Sequence, residues 1–236
     1  MRKDKTGQWH YFASFVDPED GRWCISRLSA GRIENLDPPQ AIPVFKAKPL
    51  GLEGIKDPWI HERNGTFSML VSVALPTNKT SEQSHSTLDI FNTGEGVSAT
   101  GLAISEDLLH WEWKGVVFAP GTSGWDRYCR RINSFVPVGN HQFLAFYDGS
   151  SGHQQNYEEK TGLAEWKTGV AWKSLTSDQP FLTSPHASGS LRYVDAQPLG
   201  FDDVLLFYEF ARADGAHDLR VFKTTLSSIT RLCPPG

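Results

Sequence analysis

Thr100-Gly101-Leu102-Ala103 and Thr161-Gly162-Leu163-Ala164 carry the same four letters in the same order, 161 − 100 = 61 residues apart. An apolar run stands ahead of each: Phe67-Ser68-Met69-Leu70-Val71-Ser72-Val73 before the first, Phe143-Leu144-Ala145-Phe146-Tyr147 before the second. A third copy reads Val204-Leu205-Leu206-Phe207-Tyr208, followed by His217 to Val221, and a fourth runs Trp9 to Phe15, followed by Arg22 to Ser26. A turn precedes each central run: Thr6-Gly7, Asn64-Gly65, Gly139-Asn140, and Gly200 to Asp203. Further short strands are expected before three of these turns, near Pro58 to His61, Ile132 to Val138 and Leu191 to Ala196. The unit is therefore strand, tight turn, strand, longer loop, strand, turn, strand, at roughly 60 residues a copy. Four antiparallel strands repeated radially make a β-propeller, an architecture that leaves few exposed edges. A β-sandwich is the competing all-β reading, and the ordered repetition favours the propeller. No convincing amphipathic helix stands out; Glu158 to Thr168 holds helix formers, but Gly162 falls inside it.

Composition narrows the function classes. The 236 residues carry 23 Lys and Arg against 27 Asp and Glu, a formal net charge of −4. That balance argues against a nucleic-acid or anionic-membrane partner, either of which would favour a basic face. No stretch approaches the run of about 18 apolar residues that a membrane helix needs. The three cysteines, Cys24, Cys129 and Cys233, are too scattered for a disulfide framework or a zinc site. The opening Met1-Arg2-Lys3-Asp4-Lys5 has no apolar run behind it, so a cytoplasmic protein is expected.

Strand order fixes where chemistry can sit. Adjacent strands run antiparallel, so the start of a first strand and the loop joining strands two and three share one face. That face holds Asp57-Pro58 and the segment from Trp125 to Arg131. It also holds the loops Val16 to Gly21, Leu75 to Ala99, Asp148 to Lys160 and Glu209 to His217. Long polar loops on one face of a scaffold are the usual seat of function. The loop of about 25 residues from Leu75 to Ala99 is expected to be a mobile lid or an oligomer contact.

Lys56-Asp57-Pro58-Trp59, followed by Asn64-Gly65 and an aromatic strand, resembles the second-blade Arg-Asp-Pro type motif of the five-bladed propeller glycosidases. Ser105-Glu106-Asp107 with Trp111 is similar to a Ser-x-Asp strand-turn of the same group, glycoside hydrolase families 43, 32, 68 and their relatives. The later runs Trp125-Asp126, Arg131-Ile132-Asn133, Phe146 to Gly149 and Asn156 to Gly162 look like an uncharacterised branch of that superfamily. The resemblance implies one propeller domain over 1–236, with blades at roughly 1–50, 51–120, 121–186 and 187–236. It also implies carboxylates around a central funnel: a base or nucleophile, a general acid, and a third that orients or tunes the acid.

Asp57 matches the tuning carboxylate by position and by its following Pro. Where relatives offer a Glu acid at the third blade, this chain has Arg130, Arg131 and Asn133, so Glu158 or Glu159 is expected to supply it. Asp148 and Glu209 each end a Phe-Tyr strand on the funnel face and complete the catalytic candidates. The first-blade base has no counterpart, because Asp4 falls in the turn between strands one and two, on the opposite face. Candidate substrate contacts are Trp59, Trp125, Asp126, Arg127, Arg131, Tyr157, Arg192 and His217, with Arg130 and Tyr128 beside them. The arginines either pair with surrounding acids or grip an anionic sugar.

The leading expectation is thus a carbohydrate-active glycosidase acting on an oligosaccharide, with no cofactor and no metal beyond a structural Ca²⁺. The alternatives are a sugar-binding propeller without turnover and a protein-interaction propeller. A homo-oligomer stays open. Five blades would need about 47 residues each, whereas the visible copies take about 60, so a propeller of the five-bladed type is expected to be truncated or incomplete near its N-terminus.

Overall fold

A computed structural model of the chain describes residues 1–139, 142–167 and 172–232. Asn140 of the third expected turn, Thr168 and Cys233 lie outside the described residues. The fold is all-β with antiparallel sheets, and its described residues divide into two compact units, Met1–Val117 and Phe118–Gly236.

In the first unit, β1 (Arg2–Lys3), β2 (Trp9–Val16), β3 (Trp23–Ala30) and β4 (Ile42–Phe45) pair in chain order. A second meander follows: β5 (Gly54–Arg63), β6 (Thr66–Pro76), β7 (Gly96–Ser105) and β8 (Glu112–Phe118). The β5–β6 hairpin closes through Asn64 and Gly65, at φ 52° and 78°. Asn and Gly are the residues that tolerate this left-handed pair, whose twist matches the flanking strands. Phe12, Ile25, Ile55, Met69, Val71, Val73 and Leu108 fill the unit's core.

The segment expected as a lid is anchored instead. Ile90 and Phe91 are buried against Ala74 and Trp23, the Trp23 indole donates to Asp89 at 3.0 Å, and His85 meets Glu53 at 2.8 Å. Apolar side chains in a long polar loop were the signal that it would dock on its own unit.

In the second unit, β9 (Cys129–Gly139), β10 (Gln142–Ser150), β11 (Lys160–Lys167) and β12 (Lys173–Ser174) form one meander. The stretch from Glu158 is thus a strand from Lys160 onward, as the glycine inside it suggested. A further sheet holds β13 (Leu191–Pro198), β14 (Asp203–Ala211) and β15 (His217–Thr225). Among the described residues no fourth strand joins β15. The chain turns instead into α1 (Leu226–Leu232), a helix that the sequence pattern did not reveal. Its Leu226 and Ile229, three residues apart, are buried in the core with Val136, Leu144, Phe146, Leu163 and Leu206, and Asp202 accepts from the Ser227 amide at 2.8 Å.

The repeated Thr-Gly-Leu-Ala acquires a physical reason. A Cβ on Gly162 would collide with the Tyr147 ring, and one on Gly101 with the Trp113 ring. Each copy uses its glycine to admit an aromatic ring flat against the strand, which any larger residue would push away.

One irregularity recurs in three first strands. After Lys56 in β5, Arg131 in β9 and Arg192 in β13, two residues oppose one on the neighbouring strand. Such a bulge bends the strand and re-aims the side chains beside it, and bulges gather near functional sites. Each bulge follows a basic residue whose ladder partner lies in the second half of the neighbouring strand: Ser72, Asp148 and Glu209 respectively.

Candidate functional site

The start of β9, the end of β10, the segment entering β11 and the starts of β13 and β15 meet at one end of the second unit's sheets. Cross-strand register dictates the first contacts, because directly opposed residues project to the same side. Arg131 stands opposite Asp148, and Arg192 opposite Glu209.

The two pairs resolve differently. Arg192 closes on its partner: Nε lies 3.0 Å and Nη2 2.9 Å from Glu209 Oε2. Its Nη1 donates to the Tyr157 carbonyl and reaches Glu159 Oε2 at 3.5 Å, while the guanidinium sits 4.7 Å from the centre of the Tyr193 ring. Arg131 instead donates through Nη2 to Glu159 Oε1, and both of these residues are buried. Burial works against the Arg131 charge, yet Cys129, Glu159 and Asp148 around it outweigh burial and hold the guanidinium well above its ordinary value.

Asp148, also fully buried, turns toward β13, where its Oδ1 accepts the Tyr193 backbone N–H at 3.0 Å. Among the described residues its Oδ2 is without a hydrogen-bond partner, as is the Asn133 Nδ2 in the β9 bulge, although the nearby amide of Asn133 favours the ionised carboxylate. Burial pushes Asp148 up to about 7; Arg131 opposes that rise, Glu159 adds to it, and the Tyr193 N–H restrains it.

Toward solvent the cluster opens. Glu209 and Glu158 each keep 35 % of their side-chain surface exposed. Glu158 accepts from Ser188 Oγ, and His217 Nε2 lies 3.5 Å from its Oε2 without a hydrogen bond. Tyr157 and Tyr193 flank Arg192, both partly exposed and both left-handed, at φ 67° and 56°. A bulky residue in that conformation is strained by roughly 1–3 kcal/mol, and such strain persists where the surroundings over-determine it. Unpartnered buried polar atoms also gather here: Arg131 Nε, Asn133 Nδ2, Asp148 Oδ2, Ser150 Oγ and His217 Nε2. Buried polar groups without partners are rare enough to call for a cause.

Two of the remaining candidates of this unit, Asp126 and Trp125, serve its interior. Asp126 is fully buried, holds Arg130 at 2.8 and 3.0 Å, and accepts the Tyr147 hydroxyl at 2.7 Å. Trp125 stacks on Tyr147 and donates to the Thr176 carbonyl at 2.6 Å. Arg127 is exposed, and Tyr128 lies edge-on to His153.

In the first unit, Asp57 occupies the β5 bulge at φ 55°, its N–H donating to Ser14 Oγ at 2.8 Å and its carboxylate 55 % exposed. A left-handed aspartate before proline, with its carboxylate outward, is the same kind of strained, presented residue as Tyr193. Trp59 stacks parallel to His61 at 5.9 Å. Asp4 caps its turn, accepting from Thr6 and Gln8 at 2.9 Å each, and meets His10 at 3.0 Å, in the turn where the sequence places it.

Comparison with known proteins adds the fold relationship. A thermostable family-43 glycoside hydrolase matches with a TM-score of 0.62 at 15 % identity, covering 93 % of this chain and 71 % of that one. The chain shares its fold with propeller glycoside hydrolases. A β-1,2-mannobiose phosphorylase from Listeria innocua matches at TM-score 0.61 and 16 % identity, over 98 % of this chain. A GH32 β-fructofuranosidase from Bombyx mori matches at 0.55 and 12 %, over 93 %. The chain spans 58 % of the length of the phosphorylase and 43 % of the fructofuranosidase. No protein-family model and no curated protein sequence matches.

Sequence reasoning named Glu158, Glu159, Arg131, Arg192, Glu209, Asp148, Tyr157 and His217, and these come together. It missed Tyr193 and Ser188, and it read Asn133 only as standing in the place of the expected acid. Aligning the three first strands on their basic residue would have flagged Tyr193 opposite Asp57; nothing in the letters flags Ser188. Among the described residues no group of three His, Cys, Asp or Glu is placed to hold a metal ion, and no helix is long and apolar enough to cross a membrane.

Proposed function

We propose that the protein is carbohydrate-active and cleaves a glycosidic bond, its second unit supplying the general acid. The observation that carries this reading is the pairing, at one end of that unit, of two half-exposed carboxylates, Glu158 and Glu209, with two strained tyrosines around Arg192. Sugar rings stack on aromatic faces, and their hydroxyls are read by carboxylates and guanidinium groups. The shared fold supports the reading, as does the family named in the matching hydrolase.

The two carboxylates divide the work by their surroundings. Glu158, held by the Ser188 hydroxyl rather than by a guanidinium, is the group that delivers a proton to the leaving oxygen. Glu209, clamped by Arg192, presents fixed negative charge to the cation developing at the anomeric carbon. Glu159 lies buried between Arg131 and Arg192 and holds them in place. The four antiparallel meanders are read as blades at roughly 1–50, 51–120, 121–186 and 187–236.

Sugar binding without turnover is the second reading, favoured by the commitment of Asp148 and Glu159 to buried contacts. Aryl glycosides and natural oligosaccharides, offered with and without inorganic phosphate as acceptor, separate the readings. Turnover by the wild type and a loss of roughly 10²–10⁴-fold in Glu158→Gln is the expected outcome. Binding without turnover selects the second reading, and absence of any sugar binding overturns both.

A further inference from the structure

We propose that Asp148 is a positioning residue of this site: its buried carboxylate fixes the Tyr193 bulge, and with it the Tyr193 ring and Arg192 that a sugar would meet. The proposal rests on the reading of this cluster as a carbohydrate site, and it names a residue that acts through others.

Two comparable ladder positions carry the inference. In β13–β14 the basic residue before the bulge closes on its opposite acid, so Arg192 and Glu209 satisfy each other. In β9–β10 the equivalent acid is released, because Arg131 spends its Nη2 on Glu159. Asp148 is left to cross to the neighbouring sheet and take the N–H of Tyr193, a residue held at φ 56°. A hydrogen bond to an ionised acceptor is about twice as strong as a neutral one, which suits a contact that must hold a strained backbone. Release of that N–H would free the bulge that aims both Tyr193 and Arg192.

Charge counting shows why this acid is the variable one. The groups facing Asp148 are Cys129 and Arg131 on β9, Glu159 ahead of β11, and the Tyr193 phenol on β13, with Arg192 beyond Glu159. Two guanidinium groups face three carboxylates, and Glu159 and Glu209 already neutralise both. Asp148 is therefore the surplus acid, the one that can lose its charge without stranding a buried cation. Ionised, it grips the Tyr193 N–H; protonated, it loosens its hold.

Labelling the six tyrosines with ¹⁵N tests this without any sugar. The Tyr193 amide, identified by its absence in Tyr193→Phe, should move with pH around a midpoint near 7 in the wild-type protein. The same amide should be flat between pH 5 and 9 in Asp148→Asn, which keeps the side-chain shape and removes the charge. A Tyr193 amide that stays still in the wild type overturns the proposal, and so does a titration that persists in the variant. The wild-type measurement alone suffices should the variant not fold. For any sugar that binds, affinity should strengthen through the same midpoint in the wild type and show no such step in the variant; a step unchanged by the substitution overturns the positioning role. Absence of sugar binding, with the amide still titrating, overturns the functional reading and leaves the link from Asp148 to Tyr193 standing.

Discussion

Arg131 with Asp148 and Arg192 with Glu209 occupy the same rung of two neighbouring hairpins, yet one pair is open and buried while the other is closed and half exposed. The residue types are nearly the same, so type did not decide the outcome. What decided it was Glu159, whose buried position offers Arg131 Nη2 a charged partner and frees Asp148 for a backbone contact. A carboxylate at the end of a second strand can thus be a solvent-facing reactant or an internal strut, depending on which guanidinium reaches it first.

The comparison breaks most visibly at Arg131. Arg131→Met removes the cation between two buried acids and leaves Glu159 to its long contact with Arg192 at 3.5 Å. Loss of one partner from a buried ion pair costs about 3–5 kcal/mol. Urea denaturation should show a loss of that size, and a loss below about 1 kcal/mol would mean that the buried pair contributes no more than a surface one.

Asp148 gives an intermediate effect whose sign depends on pH. Its value in the folded chain, about 7, stands above the ordinary aspartate value near 4. The folded state therefore binds the proton more tightly than the unfolded chain, and stability falls as pH rises from about 4 to about 7, then levels. Asp148→Asn should remove this slope and be the more stable protein at pH 8, by up to about 4 kcal/mol. Parallel slopes for the two proteins would contradict the assignment.

The rim pair should be the mildest. Glu209→Gln trades a half-exposed ion pair for a neutral contact and should change stability by less than about 1 kcal/mol. Sugar turnover or affinity should nevertheless fall, because the fixed charge is lost. A large loss of stability would place Glu209 with the struts rather than the reactants.

Much of this was legible in the letters. Asn64-Gly65 announced its hairpin because few other pairs take two left-handed residues in succession, and the Thr-Gly-Leu-Ala repeat marked two strands at equivalent places. The candidate cluster was also legible as a set, since strand order alone brings the starts of first strands and the ends of second strands to one end. Illegible was the left-handed conformation of Tyr193, which no tyrosine advertises.

The sequence by itself determined the all-β class and the order of strand and turn, because these follow from local propensity and the two-residue period of a strand. Only the tertiary structure decided which acid meets which arginine. Arg131 and Glu159 are 28 residues apart, and Arg192 and Glu159 33. The partnership is set by which carboxylate loses its water when the sheets pack, and desolvation is a property of the packed interior that no local stretch of the chain contains.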